Sequence, residues 1–437
     1  MNINDIRKNL KETIQEYADE IISVGEHIWK NPEPGYREFK TSEFLADKFR
    51  ALGLEVRTGL AITGFRADLD TGRPGPTVAI LGELDSLILP NHPQCDKTTG
   101  AVHACGHNSS AASFYGAALT LIKSGAVKHL CGKIAFIATP AEEGIELDYR
   151  KSLIKQGKIK SIAGKSQLIR EGVFDDIDIA YMQHLDKSFT VNGSNGAINK
   201  KIIFHGKSCH AAAPEDGRNA LNAMTLALNA IALLRESYSK DSYIRIHGII
   251  TNGGDTVNII PDTVTMEYML RAIKPEQLLE LNERFDKVVM YAAKAAECEA
   301  EIESLNGYMP IKCNEELAKV MVESARYIYD DNLIRADLPP GEGSTDMGDV
   351  SLVVPAIHAH APGADGVCHG TDYFIADKTQ AYVNTSLLNA IIAVDLLAGD
   401  GETGRKIAAT RKNCMTTAEY IKFIDSINGI KSSTELG

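Results

Sequence analysis

The 437-residue sequence predicts an α/β protein in which a discontinuous larger domain carries an inserted α+β domain. Up to about residue 193, apolar strand-like runs alternate with helical segments, a pattern typical of a layered sheet covered by helices. The pattern then changes to a compact α+β succession, before helix and strand resume from residue 313 to about 397. Because one hydrophobic core stops growing beyond ~250–300 residues, a chain of this length is expected to form two domains.

The larger domain is predicted to begin with two helices within residues 3–53, the second covering 41–52 after the loop NPEPGYRE. Apolar residues recur at helical spacing in the first helix, at Leu10, Ile14, Tyr17 and Ile21. Further along we expect a helix over 109–122 and strands over 64–69, 77–81, 133–139 and 177–182. Open α/β sheets bind ligands beyond the carboxyl ends of their strands, so residues that follow these strands are candidates for a site.

The inserted domain is predicted over residues 194–309, which leaves 1–193 and 310–437 for the larger domain. Its elements are expected in the order strand 198–206, helix 219–234, strands 243–251 and 262–272, helix 275–298 and strand 299–305. Residues 401–437 are predicted to form a polar loop and one appended helix.

Charge and cysteine usage exclude some partners and favour one compartment. The net charge is −12 without long blocks of like charge, which argues against nucleic acid and anionic membranes. The richest basic stretch, RKSLIKQGKIKSIAGK at 150–165, is predicted to be a solvated helix face. No apolar run reaches ~18 residues, and the N-terminus resembles an amphipathic helix more than a signal peptide. Eight scattered cysteines favour a reducing compartment, so we expect a cytoplasmic protein.

The hexapeptide HACGHN places Cys105 and His107 in a C-x-H pair just before a predicted helix. Thiolate and imidazole suit zinc or a similar divalent transition metal. Alone this signal is weak, since a free cysteine is often only a small buried hydrophobe.

Two adjacent acids, Glu142 and Glu143, follow the apolar strand in TPAEEG. Neighbouring side chains that leave a strand end diverge, so one carboxylate can bind metal while the other reaches a water. Hydrolysis needs that arrangement, because the metal lowers the pKa of water towards ~7 and a carboxylate takes the proton. The alternative is a surface pair that caps a helix.

Two histidines complete the set of candidates. His184 ends the strand in YMQH, where a satisfied buried histidine is the ordinary explanation, and His369 lies in the glycine-bearing loop VCHGTD. Four clusters that together supply Cys, His, Glu, His and His are much harder to explain by chance than any one cluster alone. The sequence therefore indicates a metal site.

These motifs, in this order, resemble the metal-dependent aminoacylase and carboxypeptidase family, within its amidohydrolase branch. The resemblance covers nearly the whole chain, from NPEPGYREFKTSEFLADKFRALGLEV through HACGHN, TPAEEG, GKSCHAAAPEDGRNALNA and GGDTVNIIPD to GSTDMGDVS. It implies a discontinuous catalytic domain with a mixed sheet flanked by helices and an inserted lid and dimerisation domain. It also implies a homodimer and hydrolysis of an amide in an N-acyl amino acid or dipeptide that keeps a free carboxylate.

Carried onto this sequence, the resemblance implies two divalent metal ions, zinc or manganese first and cobalt or nickel as alternatives. The implied ligands are Cys105, His107, Glu143, His184 and His369. Glu142 would be the catalytic acid/base, and Asp85 would orient a ligand. In the inserted domain, His210 would reach the partner subunit's site and stabilise an oxyanion, while Asn258 and Arg271 would hold the substrate's carboxylate.

Departures from the family pattern point to a subgroup. Glu83 stands where the wider family has a metal-binding histidine, and we expect the C-x-H pair to supply the missing ligand. Asn108 and GSTDMGDVS resemble the aminobenzoyl-glutamate hydrolase and β-alanyl dipeptidase subgroup. Residues 147–165 are an apparent insertion after the Glu pair.

Two rival hypotheses come from other functional classes. A non-catalytic metal-binding homologue of the same fold is disfavoured by Glu142, which is not itself a ligand. A metal-free thiol enzyme or redox sensor based on Cys105 is separable by chelation, because a chelator would leave its activity intact.

Overall fold

A computed structural model describes residues 2–336, 341 and 343–435. The chain divides into two compact units. The first contains Met1–Gly193, Ile311–Gly341 and Asp346–Ala418, and the second contains Ser194–Pro310, Glu342–Thr345 and Glu419–Gly437. A discontinuous larger unit with an insertion is the organisation that the sequence predicts.

The first part of the larger unit alternates helices and strands. Its helices are α1 (Ile3–Glu16), α2 (Ala18–Lys30), α3 (Phe39–Ala51), α4 (His107–Lys123), α5 (Leu147–Lys155) and α6 (Gly164–Arg170). Its strands are β1 (Val56–Leu60), β2 (Gly64–Asp70), β3 (Thr77–Glu83), β4 (Leu87–Ile88), β5 (Ala101–Val102), β6 (Lys133–Thr139) and β7 (Ile179–Asp186).

The second unit follows in the chain, and the larger unit then resumes. The second unit contributes β8 (Gly196–His205), α7 (Ala220–Leu234), β9 (Arg245–Asn252), β10 (Thr263–Ala272), α8 (Pro275–Ala295) and β11 (Glu299–Tyr308). The remaining elements are α9 (Glu315–Arg326), α10 (Met347–Val353), β12 (Ala356–Pro362), β13 (Ala364–Asp365), β14 (Phe374–Ile375), α11 (Thr385–Leu397), α12 (Glu402–Ala408), α13 (Thr417–Ile427) and β15 (Gly429–Ser432).

The larger unit is organised around a six-stranded mixed sheet in the order β1-β2-β6-β3-β7-β12. Strands β6, β3, β7 and β12 are parallel to one another. Strand β2 is antiparallel to both of its neighbours, β6 and β1. The interior of this sheet is apolar, and the four residues Val78–Leu81 of β3 are all buried. The predicted α/β class with a mixed sheet is confirmed.

The helix that carries His107 begins at a glycine for a steric reason. Gly106 precedes α4 with φ +84°, in the left-handed region that side chains disfavour. A Cβ at this position would lie 2.7 Å from Leu185 Cβ and 2.5 Å from the Tyr373 hydroxyl. The chain can therefore turn between Cys105 and His107 only with glycine between them.

The second unit is a five-stranded antiparallel sheet in the order β15-β11-β8-β10-β9, with α7 and α8 packed on it. The structure differs here from the expected boundary, because Glu419–Gly437 belongs to this unit and not to the larger one. The physical reason is strand pairing: β15 adds to the edge of the sheet, with Glu301 opposite Ser432 and Ser304 opposite Gly429.

Three local predictions were wrong. Residues 401–437 contain helices α12 and α13 and strand β15, and not a polar loop with one helix. Residues 3–53 form three helices, because α1 ends and α2 begins at Tyr17, whose N–H donates to the Ile14 carbonyl. The basic stretch 150–165 is not a solvated face throughout, since Arg150 is 1% exposed and Lys165 is 0% exposed. Both of these side chains contribute to the site described next.

Candidate metal centre

The ends of three neighbouring parallel strands bring the predicted chemistry together. Strand β3 ends at Glu83, which lies opposite Thr139 at the end of β6, and β7 carries His184 near its own end. Because the carboxyl ends of parallel strands meet at one edge of a sheet, the segments that follow them converge there.

Cys105 lies at the centre of the predicted ligand set. Its Sγ is 3.3 Å from His184 Nε2 and 3.3 Å from His369 Nε2. His369 Nε2 is in turn 3.3 Å from Glu143 Oε1, and His107 Nε2 is 4.0 Å from that same oxygen. The five side chains that the family resemblance implies as ligands thus form one continuous cluster.

Asp85 contacts two members of this cluster. Its Oδ2 accepts a hydrogen bond from the Glu143 backbone N–H at 2.9 Å, and its Oδ1 lies 3.2 Å from His107 Nδ1. Burial by itself would raise the pKa of Asp85, but the contact with His107 outweighs it and lowers that pKa to about 2. Nδ1 of His107 therefore faces the ionised Asp85, which leaves Nε2 directed at the other ligands.

Glu142 lies beside the ligands. Its Oε2 is 3.9 Å from His107 Nε2, and the residue is 7% exposed. Burial, followed by the charges of Glu83 and Glu143, raises the pKa of the Glu142 carboxyl well above its usual value. A carboxyl whose pKa is raised in this way holds a proton more readily than an ordinary glutamate, which suits a group that accepts and donates protons.

Lys165 is a site residue that sequence reasoning missed. Its ammonium donates to Glu83 Oε1 at 2.7 Å and to Asp346 Oδ1 at 2.6 Å, and all three side chains are completely buried. Burial would raise the pKa of Glu83, but the Lys165 charge outweighs it and lowers that pKa. Glu83 is thus held as a carboxylate, with its Oε2 at 3.3 Å from His107 Nε2.

Arg150 is a second residue that was missed, because its stretch was predicted to be solvated. Its guanidinium donates to the carbonyl oxygens of Ala141 at 3.1 Å and Ile162 at 2.7 Å, and also to that of Glu143. The insertion therefore supplies a buried cation that fixes the backbone carrying Glu142 and Glu143. A buried arginine within a surface-like basic stretch leaves no signal in a single sequence.

The donor set and the charge balance fit divalent metal ions. Ligand atoms around a tetrahedral ion with bonds of ~2.0–2.3 Å are ~3.3–3.8 Å apart, and the three shortest spacings around Cys105 and His369 are each 3.3 Å. Glu143 Oε1 is buried and makes no hydrogen bond within the described residues. Besides Glu142, four buried carboxylates surround the site against the two cations Lys165 and Arg150, namely Glu83, Asp85, Glu143 and Asp346. Buried charge of one sign requires compensation, which divalent cations would provide.

The remaining predicted residues lie in the second unit. His210 is exposed, and its Nδ1 accepts a hydrogen bond from the Ala212 N–H at 3.0 Å. Asn258 is nearby, because its carbonyl accepts from the Ala211 N–H at 3.0 Å. Arg271 lies on β10 and donates to the Ser344 hydroxyl at 3.0 Å. His210 and Asn258 are thus brought together, whereas Arg271 is placed separately on the sheet.

Fold and site together define a metal-dependent hydrolase with an inserted dimerisation domain. Residues 192–297 match the peptidase dimerisation domain, and the Xaa-Arg dipeptidase of Mus musculus is 30% identical over 430 residues, covering 90% of this chain and 89% of the relative. The chain belongs to the M20 peptidase family, whose members hydrolyse C–N amide bonds. The N-acetyl-L-cysteine deacetylase of Bacillus subtilis is a further relative, 28% identical over 70% of this chain and 72% of its own length.

Solved structures share the fold. A putative aminohydrolase from Staphylococcus aureus superposes with a TM-score of 0.74 at 19% identity, covering 89% of this chain and 99% of that one. A dinuclear metal binding M20 peptidase from Bacillus subtilis gives a TM-score of 0.67 at 18% identity, over 87% and 98% of the two chains. An aminobenzoyl-glutamate utilization protein from Klebsiella pneumoniae gives 0.63 at 20% identity, over 88% and 98%.

Proposed function

We propose that this hydrolase cleaves the amide bond of an N-acyl amino acid or a dipeptide-like substrate that keeps a free carboxylate. The observation that carries the proposal is the placement of Glu142, a buried carboxyl of raised pKa, 3.9 Å from His107 Nε2 at the edge of the ligand cluster. An inert metal-binding homologue has no use for such a carboxyl.

In this proposal, two divalent ions would be held by Cys105, His107, Glu143, His184 and His369. When bound, they supply Lewis acidity that activates water and polarises the substrate carbonyl. Glu142 removes the proton from the attacking water and later transfers it to the leaving amine nitrogen. Asp85 holds the His107 ring in the orientation that binding requires.

The second unit supplies substrate contacts and the partner. His210 donates a hydrogen bond to the developing oxyanion in the partner subunit's site, while Asn258 and Arg271 bind the free carboxylate. A homodimer through this unit is supported by β9, which lies at the sheet edge and exposes Ile249 and Ile250 at 58% and 50%. An exposed apolar edge strand is a template for pairing with a second copy.

Metal identity and compartment stay predictions. Zinc or manganese is the first expectation for this ligand set, with cobalt and nickel as alternatives. The eight cysteines are all free, as in a reducing compartment such as the cytoplasm. Across the described residues, no helix combines the length and the apolar character that a bilayer crossing requires.

The substrate class follows from the relatives' printed activities. A dipeptidase and a deacetylase both cleave an amide bond to an amino acid. The experiment that tests the proposal is therefore a hydrolysis screen of four substrate groups: Xaa-Arg dipeptides, β-alanyl dipeptides, N-acetyl amino acids and aminobenzoyl-glutamate. We expect hydrolysis of at least one group by zinc- or manganese-loaded protein, its loss with a chelator, and recovery when metal is returned. Failure to cleave any compound with a free carboxylate would favour the inert homologue, and activity that survives chelation would favour a thiol enzyme.

A further inference from the structure

A second thiol lies at the metal centre. Cys368 Sγ is 3.8 Å from Cys105 Sγ, and these two sulfurs with the His369 ring form a group whose ligand atoms are all within 4.8 Å of one another. The sequence-based ligand set uses His369 but not the cysteine that precedes it. Cys368 is therefore a candidate metal ligand that the family resemblance does not supply.

The backbone explains how two consecutive side chains reach one point. In an extended chain, neighbouring side chains point to opposite sides. Here the Gly370 N–H donates to the Val367 carbonyl at 2.7 Å, and His369 adopts φ +64° in the left-handed region. This tight turn bends the chain at the two residues, so that Cys368 and His369 both approach Cys105.

The turn is also fixed against the C-x-H segment. The His369 N–H donates to the carbonyl of Ala104 at 2.9 Å, next to Cys105 itself. A left-handed conformation is unfavourable for a non-glycine residue, so it persists only where surrounding contacts require it. The strained turn is therefore held in place beside the cluster.

The spacing of the two sulfurs agrees with shared coordination. Two sulfur ligands with bonds of ~2.3 Å to a tetrahedral ion are ~3.8 Å apart, which is the distance between Cys105 Sγ and Cys368 Sγ. The buried Glu143 Oε1, which makes no hydrogen bond within the described residues, lies 3.3 Å from His369 Nε2. Cys105, Cys368 and His369 thus supply three donors close enough to bind one ion, and Glu143 adjoins them at His369.

We propose that Cys368 is an additional metal ligand of this hydrolase, and that a Cys105–Cys368 thiolate pair makes one of its two sites selective for zinc over manganese. This inference rests on the proposed metal centre. Soft thiolate ligands favour zinc, whereas carboxylate and water ligands suit manganese, so a second thiolate shifts the preference in a defined direction.

Cobalt substitution tests the ligand directly, without a substrate. The purified full-length chain is freed of metal, kept reduced and titrated with Co²⁺, and the near-ultraviolet thiolate-to-cobalt absorption is recorded. Cys368→Ser should lose about half of that absorption, because one of the two thiolate ligands is removed. Cys414→Ser is the matched control, a partly buried cysteine of the same unit, and should leave the spectrum unchanged.

Two further measurements sharpen the result. Competition with a chelator should show zinc affinity lowered at least ~10-fold in Cys368→Ser, with manganese affinity changed little. Cys368 is exposed, so a thiol reagent should label it in metal-free protein and be excluded when zinc is bound. Mass spectrometry identifies the labelled cysteine.

Failure of the Cys368 assignment can be distinguished from failure of the proposed metal centre. If the wild-type chain binds cobalt but Cys368→Ser keeps the full absorption, or if Cys368 is labelled equally with zinc bound, the ligand assignment is overturned while the metal centre stands. If the wild-type chain binds no cobalt or zinc, both are overturned. Circular dichroism of each variant confirms that the fold is intact.

Discussion

The Lys165 ammonium lies 2.7 Å from Glu83 Oε1, and neither side chain has any exposed surface. A second carboxylate, Asp346, accepts from the same ammonium at 2.6 Å. Within this buried triad, Glu83 stands at the position where the family resemblance implies a histidine ligand. The triad keeps Glu83 ionised beside His107 and holds the loop that contains Asp346 against the start of helix α6.

Lys165→Met should lower the free energy of unfolding by about 3–5 kcal/mol, because it leaves two buried carboxylates without their counter-ion. Urea unfolding followed by the fluorescence of Trp29, the chain's single tryptophan, reports on the larger unit. Lys155→Met, an exposed position on helix α5, is the control and should change stability by less than ~0.5 kcal/mol. Equal stability of the two variants would contradict the role of the triad.

Arg150→Met should weaken metal binding ~10–100-fold, because the carbonyls of Ala141 and Glu143 lose the donor that fixes the ligand-bearing loop. Chelator competition measures the change. Arg326→Met, an exposed arginine of helix α9, should behave as wild type. Unaltered metal affinity in Arg150→Met would show that the insertion does not support the site.

Glu142→Gln should impair catalysis, whereas the neighbouring substitution Glu143→Gln should impair metal binding. The first should lower turnover by ~10²–10⁴-fold with metal content unchanged, since only the proton-transfer group is lost. The second should reduce the metal content itself, because Glu143 lies within the ligand cluster. Elemental analysis beside rate measurements distinguishes the two, and an active Glu142→Gln protein would remove the assignment of the acid/base.

His210→Ala should lower turnover by about two to three orders of magnitude, the usual effect of losing an oxyanion donor worth ~3 kcal/mol. If His210 serves the partner's site, mixing this variant with Glu142→Gln should recover about a quarter of wild-type activity. Half of the randomly formed dimers then contain one complete site. No recovery after subunit exchange, with mixed dimers shown by native mass spectrometry, would place the action of His210 within its own subunit.

The raised pKa of the Glu38 carboxyl should make the stability of the protein depend on pH. This carboxyl accepts from the Ala141 N–H and the Thr63 hydroxyl, and burial, followed by the charge of Asp85, raises its pKa from 4.5 to about 8. Because the folded state holds this proton more tightly than the unfolded state, the stabilisation is complete below pH 4.5 and is lost as the pH rises towards 8.

The free energy of unfolding, measured from about pH 5 to about pH 9, checks this expectation. The wild-type protein should lose stability relative to Glu38→Gln as the pH rises, since glutamine cannot ionise. Glu55→Gln, at an exposed carboxyl, is the control and should follow the wild-type curve. Parallel curves for wild type and Glu38→Gln would refute the raised pKa.

Local pattern predicted much of this protein. Apolar runs marked β2, β3 and β6 nearly to their ends, and the residues that follow β3, β6 and β7 do converge at one edge of the sheet. Such convergence follows from parallel strands, whose carboxyl ends share an edge, so strand-end residues could be chosen before any contact was known.

Two of the wrong predictions share a cause, which is contact between residues that are distant in sequence. The basic stretch 150–165 has a surface-like composition, yet Arg150 and Lys165 are buried because partners distant in sequence compensate them. Residues 429–432 have no strand partner nearby in the chain and form β15 only because β11 offers an open edge.

The sequence alone determined the α/β class, the inserted domain and the residue types of a metal centre, since periodicity and strand-end motifs are local properties. Only the tertiary structure decided which charges are buried and which donors meet. Lys165 pairs with Asp346 across 181 residues, and Cys105 approaches Cys368 across 263. Contacts of that range depend on strand order and on the path of the loops, which no local pattern encodes.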